Sequence, residues 1–536
     1  MPKRAYVVLF LLGLLIALGG AALQTNPGYM DAFYYFYGGE QIAVGNGWVE
    51  MFLWNYIGAP DGLPNPAFTY WMPLTAMTAA LGIRLFSGFL PNFEAAQLAF
   101  VLLAACIPPL TAALAFSISR RKGAAWLSGV LAGFTGFYTS FLTTTDSFTI
   151  FMLLGAVFFL VYLRMGRGRS FVLGALAGLM HLARADGLLW LGVAGLGRLF
   201  DLAEGEGKFT LKRLARKLIS RPYLLRALVI VVGYLLVMSP WYWRNLQVFG
   251  GLFPPGGSRS LWVLDYNELY AYPASTLTLR RWLDAGLWSL LAARVEALWV
   301  NLQTTFASMG VFLPGALSIL GFWRNRKLKV VRLGLVSWGV LFLVMSFVFP
   351  FSGVRGSYFH SGAAFVPLIL AMVPDGIDAL TKASLRRFKN WEDRRIRPFY
   401  TGVVVAFVIG FSLMVYFSAV VGTDGEPGFV WNEVETRYTR VEAALVELGA
   451  SPQDLVLTTN PPGYAVVADR PAIAMPDGGP GTLQAAAEDF GAPWVLVEPN
   501  HPDGLEALYQ EPGDVGDLTY LQTAGKVHIF RLDLED

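Results

Sequence analysis

The chain has 536 residues, of which 55% are hydrophobic and only 15% charged, with a mean hydropathy of +0.49. Those values exclude a soluble enzyme of this length and fit an integral membrane protein. The near-neutral total of +3 hides two unlike parts: from Thr423 onward there are 20 acidic and 5 basic side chains, net −15, which leaves +18 for residues 1–422.

Many apolar runs approach the ~20 residues that cross a hydrocarbon core about 30 Å thick, among them 6–23, 95–117 and 400–421. Peptide groups facing lipid must pair within their own segment, so these runs are helices, and they lack the two-residue alternation of a barrel. Lys3 and Arg4 precede the first run and predict a signal anchor with a cytoplasmic N-terminus. Basic residues gather on the cytoplasmic side, which places inside the Arg120-Arg121-Lys122 triplet and the loops 164–169, 208–226, 324–332 and 382–397.

Parity then settles two ambiguous runs. Residues 66–86 form an interfacial or re-entrant helix within a long external loop, 24–93, because a crossing there would put Arg120 to Lys122 outside. Residues 171–200, basic on both flanks and interrupted at "HLARADG" (181–187), form a pair of short helices with Arg184 and Asp186 near the outer face. The expected architecture is mostly α, with about eleven spans over residues 1–422, a second external loop at 243–306, and an external C-terminus. Beyond it, "DLVLTTN" (454–460), "TLQAAAEDFGA" (482–492) and "PWVLVEP" (493–499) read as strand, helix and strand of a small extracytoplasmic α/β domain, 423–536. Its acidity argues against nucleic acid or anionic lipid as its partner. "TTNPPGYAVVADRP" (458–471) lacks the pattern of a phosphate loop, so an acceptor-docking or structural role is expected. The one cysteine, Cys106, precludes an internal disulfide or a thiolate metal cluster.

Two carboxylates stand at the outer mouths of helices: Asp31 in "GYMDAFYYFYGGEQ" (28–41) and Asp146 in "TTTDSFTIF" (143–151). Each has the spacing of a helix N-cap, the commoner reason for an aspartate in such a place. Against the positive-inside bias, Arg184, Arg244, Arg259, Arg280, Arg281 and Arg355 also fall outside and need anionic partners. Asp186, Asp265, Glu268 or lipid phosphate could supply them. Tyr266, Tyr270, Tyr272 and Trp262 offer flat faces for a sugar ring or belong to an interfacial aromatic belt. The four histidines, His181, His360, His501 and His528, show no ligand spacing, although Asp31, Asp146 and His360 could together hold a divalent cation. A lipid or solute transporter would carry charge within its spans, and these are nearly free of it. A noncatalytic cell-surface assembly protein would leave the one-sided carboxylates unexplained.

The ordered series of Asp31, "NPAFTYWMPLTA" (65–76), "TTDSFTIF" (144–151), "LARADGLLWL" (182–191), "SPWYWRNLQVFG" (239–250) and "VRGSYFHSGAAFVPLIL" (354–370) resembles the integral-membrane GT-C glycosyltransferases. The protein O-mannosyltransferase and lipid A aminoarabinose transferase branch is the nearest likeness. Two departures stand out: Asp31 is followed by Ala32, with Glu40 the next carboxylate, and the W-W-D-Y-G motif of oligosaccharyltransferases is absent. The resemblance implies a polyprenyl-phosphate sugar donor and transfer on the outer face of the cell membrane to a lipid, glycan or protein acceptor. Asp31 would be the general base, with Asp146 orienting acceptor or sugar. Arg355, then Arg244 and Arg184, would meet the phosphate, with His360 as neighbour, Tyr266 against the sugar and Glu40 on the acceptor side. No cofactor is required by this scheme.

Overall fold

The computed structural model describes residues 1–164, 166, 168–203, 211–422 and 431–534. Arg167 and Lys208 of the basic loops, and the expected domain boundary at Thr423, lie outside the described residues. Among those described, six helices are long and apolar enough to cross a membrane: Lys3–Ala21, Asn92–Ser119, Arg221–Phe249, Lys329–Val348, Pro350–Arg387 and Asp393–Val420. A seventh crossing is available if Leu287–Met309 and Leu313–Asn325, bent by 96° at their junction, act as one broken span.

The expected count of eleven is therefore not met by length and composition. Three further apolar helices, Leu74–Phe86, Ser147–Leu163 and Arg169–Ala183, have 13, 17 and 15 residues, short of a bilayer. Ser147–Leu163 is apolar all round because protein surrounds it, and hydropathy alone does not separate such a helix from a span. The interrupted run is as expected: Arg169–Ala183 and Leu189–Ala203 meet at a turn carrying Arg184 and Asp186. The aromatic loop is shorter than 243–306, because the helices Arg221–Phe249 and Leu287–Thr304 extend into it from both sides.

Close helix approach relies on missing side chains, as is common between membrane helices. A Cβ on Gly155 would lie 2.1 Å from the Ala364 carbonyl oxygen, and one on Gly174 2.0 Å from that of Ile230. At one end of the bundle the basic loops share acids. Arg121 pairs with Asp375 at 2.6 Å and also with Asp378, which Arg397 reaches at 2.9 Å. Asp201 receives Arg169 and Arg198, each at 2.6 Å, and Lys329 at 3.5 Å.

At the other end lies a six-stranded sheet. In chain order, β1 (Val49–Glu50) pairs antiparallel with β3 (Asn65–Pro66), while β2 (Phe52–Leu53) between them leaves the pair. It becomes the parallel edge neighbour of β5 (Ala472–Ala474), followed by β4 (Val456–Thr458), β6 (Trp494–Val497), β8 (Val527–Leu532) and β7 (Leu518–Ala524). The strand–helix–strand expected from 454 to 499 is present as β4, the helix Pro480–Phe490 and β6. The proline-rich stretch is a helix, Pro461–Ala468. Its prolines occupy the first turn, where no N–H is needed, and Asn460 Oδ1 accepts from Gly463 N. The acidic C-terminal segment thus incorporates a strand of the first loop and is tied to it through Tyr56, whose hydroxyl donates to the Ala474 carbonyl.

Replacing Gly155 by Leu drives a side chain into the Ala364 carbonyl. The melting midpoint of the detergent-solubilised protein should fall by more than about 4 °C. An unchanged midpoint would contradict this packing.

Candidate functional site

Asp31 lies in the first turn of the helix Met30–Val44, two residues past its Tyr29 N-cap. Asp146 is the N-cap of Ser147–Leu163, its side chain accepting from Ser147 N, so the capping expectation holds for Asp146 and not for Asp31. Capping does not exhaust Asp146. Its other oxygen accepts from the Tyr29 hydroxyl and faces His360 Nε2 at 3.3 Å, and the residue is fully buried. Asp146 Oδ1 thus lies on Ser147 and Oδ2 between Tyr29 and His360.

His360 reaches this position from a broken segment. Between Pro350 and Gly362 the chain leaves helical geometry at Arg355 and at Gly356, whose φ of +106° suits only glycine without strain. The Gly356 carbonyl can only accept, so at 2.9 Å it fixes the proton on His360 Nδ1. For the neutral ring this turns the lone pair of Nε2 toward Asp146 and toward Asp31 Oδ2, the latter at 3.8 Å. Phe148 stacks on the imidazole at 3.9 Å and holds its plane.

The ligand atoms of Asp31, Asp146 and His360 all lie within 4.8 Å of one another. Two carboxylate oxygens and an imidazole nitrogen, the imidazole held by a carbonyl on its other nitrogen, form a donor set that fits a divalent cation such as manganese or zinc.

Asp31 is surrounded by protein but keeps 30% of its side chain open, a face a substrate can reach. Burial, and then the Asp146 charge, push its carboxyl up to about 6 against the opposing pull of His360 and Arg184. Arg184 pairs with Asp186 at 3.0 Å, and Asp186 accepts from the Ser361 hydroxyl next to His360. Tyr35 and Tyr70 lie near enough to sense the Asp31 charge.

The other expected residues divide. Arg355 is exposed, lies 4.7 Å above the Tyr266 ring, and has no carboxylate in reach among the described residues. Tyr266 bonds Tyr270 at 3.2 Å, and Tyr270 in turn senses Asp31. Arg244 is elsewhere: it donates to the Ala67 carbonyl at 2.7 Å, sits over Trp241 and Phe249, and stands near Glu50. Glu40 accepts from Asn92 at 2.9 Å at the far end of the Asp31 helix, about 13 Å along its axis, and does not join the cluster.

Sequence reasoning missed Tyr29 and Trp431. Trp431, from the C-terminal segment, packs edge-on to Tyr29 at 5.3 Å and donates to the Asn26 carbonyl at 3.0 Å. A Cβ on Gly28 would lie 2.2 Å from its indole nitrogen, so the small residue before Tyr29 makes room for it. "PGYMD" held the local part of that signal, but nothing in it pointed 400 residues downstream. Infrared titration of carboxyl groups should find one that ionises near pH 6 and disappears in Asp31→Asn. A spectrum with no such carboxyl would contradict the environment described for Asp31.

Comparison of the sequence with protein-family models and with curated proteins gives no match. Solved structures do match in fold. ArnT from Cupriavidus metallidurans bound to undecaprenyl phosphate aligns with a TM-score of 0.56 at 13% identity, covering 99% of this chain and 98% of that one. The archaeal oligosaccharyltransferase AglB from Archaeoglobus fulgidus, in complex with an inhibitory peptide and a dolichol-phosphate, aligns with a TM-score of 0.54 at 12% identity, covering 92% and 69%. Over nearly its whole length, the chain has the GT-C fold of membrane glycosyltransferases.

Proposed function

We propose that this protein is a membrane glycosyltransferase that moves a sugar from a polyprenyl-phosphate donor to an acceptor hydroxyl on the outer face of the cell membrane. One observation carries the reading: Asp31, half-enclosed and raised in pKa, stands beside the Asp146–His360 pair in a chain of GT-C fold. The two fold relatives hold undecaprenyl phosphate and a dolichol-phosphate, both lipid phosphates of the kind proposed here. The N-terminus and the basic loops would face the cytoplasm, and residues 423–536 the outside. An apolar cavity of about 200 Å³ lined by Leu302, Phe306, Ile319, Leu335 and Trp338 gives the lipid tail a berth. Thr305 at its edge bonds Tyr358 at 2.8 Å, two residues before His360.

In this scheme Asp31 takes the proton of the acceptor hydroxyl. The freed oxygen attacks the anomeric carbon as the bond from that carbon to the phosphate oxygen breaks, and the electron pair leaves with the lipid phosphate. Attack opposite the leaving group inverts the anomeric centre. Charge develops on the departing phosphate oxygen, where Arg355, unpaired with any described carboxylate, would meet it; Arg184 is half neutralised by Asp186 and contributes less. Asp31, Asp146 and His360 would hold a divalent cation, which when bound supplies a Lewis acid for phosphate or acceptor oxygen. Asp31 Oδ2 faces His360, which leaves Oδ1 for the acceptor.

The test is transfer by purified protein in liposomes from a panel of polyprenyl-phosphate sugars. Wild type should form product, and folded Asp31→Asn should lose about a hundredfold to ten-thousandfold of the rate. Asp31 works only when ionised, so the rate should fall as pH drops below its pKa, about 6 in the cation-free site and lower with a cation bound. Loss of transfer on chelation, restored by manganese, would identify the cation. Intact donors in every case, with labelled lipid or solute crossing the membrane instead, would make the site a transport mouth.

A further inference from the structure

A cavity of about 410 Å³, within the size range of small-molecule sites, opens in the first external loop and plays no part in the mechanism above. Its walls include Glu50, Trp54, Asn55, Asp61, Asn65 and Phe249. The antiparallel pairing of β1 with β3 sets Glu50 opposite Asn65, so two polar side chains from distant positions are brought to one wall. Both are buried, and Glu50 Oε1 is fixed by the Phe68 N–H at 3.0 Å. Asn55, 8% exposed, spends its carbonyl oxygen on Ile57 N, while its amide N–H groups have no partner among the described residues. Asp61 stands exposed among the lining residues.

Packed aromatic rings link the cavity wall to the Asp31 helix. Trp54 stacks on Trp71 at 4.2 Å and 7° and meets Tyr70 edge-on at 5.1 Å. Tyr70 senses the Asp31 charge, and Trp71 packs on Tyr34 and Tyr35 of the Asp31 helix.

Among the described residues the lining holds two carboxylates, two amides, prolines and two aromatic faces, and no lysine, arginine or histidine. Exposed Asp61 disfavours an anionic group, although Arg244 behind Phe249 and Glu50 offsets part of the negative charge. Hydroxyl-bearing rings find an open acceptor in Asp61, donors in the Asn55 amide and flat apolar surface in Trp54 and Phe249, while Glu50 is held at the wall by Phe68 N, Tyr34 and Asn65. Burial pushes the Glu50 carboxyl up to about 7, so near neutral pH it can donate as well as accept. We infer that the cavity is a saccharide subsite, taking one or two neutral or amine-bearing sugar units that belong to the acceptor. Its assignment to the acceptor rests on the transfer reading above; saccharide binding as such does not.

The test uses the full-length protein in detergent and saturation-transfer NMR with two probes, chitobiose and its de-N-acetylated diamine. Gly58 lines the cavity and a Cβ there meets nothing within 4 Å, so Gly58→Trp can fill the space without moving the backbone. Both disaccharides should receive saturation from wild type and neither from Gly58→Trp at an unchanged melting midpoint. Asp61→Asn should weaken the diamine at least about threefold while sparing chitobiose, a difference of ~0.6 kcal/mol, and it decides the question if Gly58→Trp fails to fold. No saturation of either disaccharide in wild type, signals that persist in Gly58→Trp, or equal effects of Asp61→Asn on both probes would overturn the subsite. The two readings fail separately: donor consumption without disaccharide binding removes the subsite alone, whereas disaccharide binding by a protein that never consumes a donor removes the transfer reading and leaves the cavity a saccharide site.

Discussion

The full burial of the Asp146 carboxylate sets the terms for the rest of this end of the bundle. A charge taken out of water must be met by hydrogen bonds or opposite charge, or it neutralises. Asp146 accepts from its own helix through Ser147 and from the first loop through Tyr29, and the broken 350–362 segment sets His360 Nε2 against its second oxygen. Those are the segments that must be held together to bring Asp31 and Arg355 to one end of the bundle.

The same requirement explains why the C-terminal segment belongs to the site. Tyr29 can donate to Asp146 only while its ring is fixed, and Trp431 and Phe141 pack against it at 5.3 and 5.4 Å. Phe33, two residues beyond Asp31, is buried in the core formed by Tyr438, Val441 and Ile529. With β2 lending a strand to the C-terminal sheet, the first loop is anchored at several points by residues more than 350 positions away. The C-terminal segment is thereby a brace for the loop that carries Asp31, whatever else it binds.

Much of this was legible in the sequence, and the limits have physical causes. Asp31 and Asp146 stood out because a charge beside an apolar run is conspicuous, and the turn at Arg184 because basic loops on both flanks forbid a single crossing. Composition was enough to mark the C-terminal segment as different, and periodicity found β4 and β6. It did not find β2, since two residues, Phe52 and Leu53, carry no period and owe their strand geometry to β5. Glu40 was drawn toward the site by nearness in sequence, although nine helical residues carry it about 13 Å away from Asp31. Arg244 was drawn there by topology, as an arginine placed outside against the positive-inside bias, yet its guanidinium is spent on the Ala67 carbonyl and two aromatic faces. Ser147–Leu163 counted as a span because hydropathy does not distinguish a helix buried in protein from one buried in lipid.

In the proposed reaction the phosphate of a lipid donor comes to rest beside Arg355, across the reacting sugar from Asp31. Cryo-electron microscopy of the protein in nanodiscs loaded with undecaprenyl phosphate tests it most directly. Phosphate density should lie in contact with the Arg355 guanidinium and within reach of the Asp31–Asp146–His360 cluster. Density for the headgroup among Arg169, Arg198 and Lys329 at the opposite end of the bundle, with the Asp31 recess empty, would contradict it.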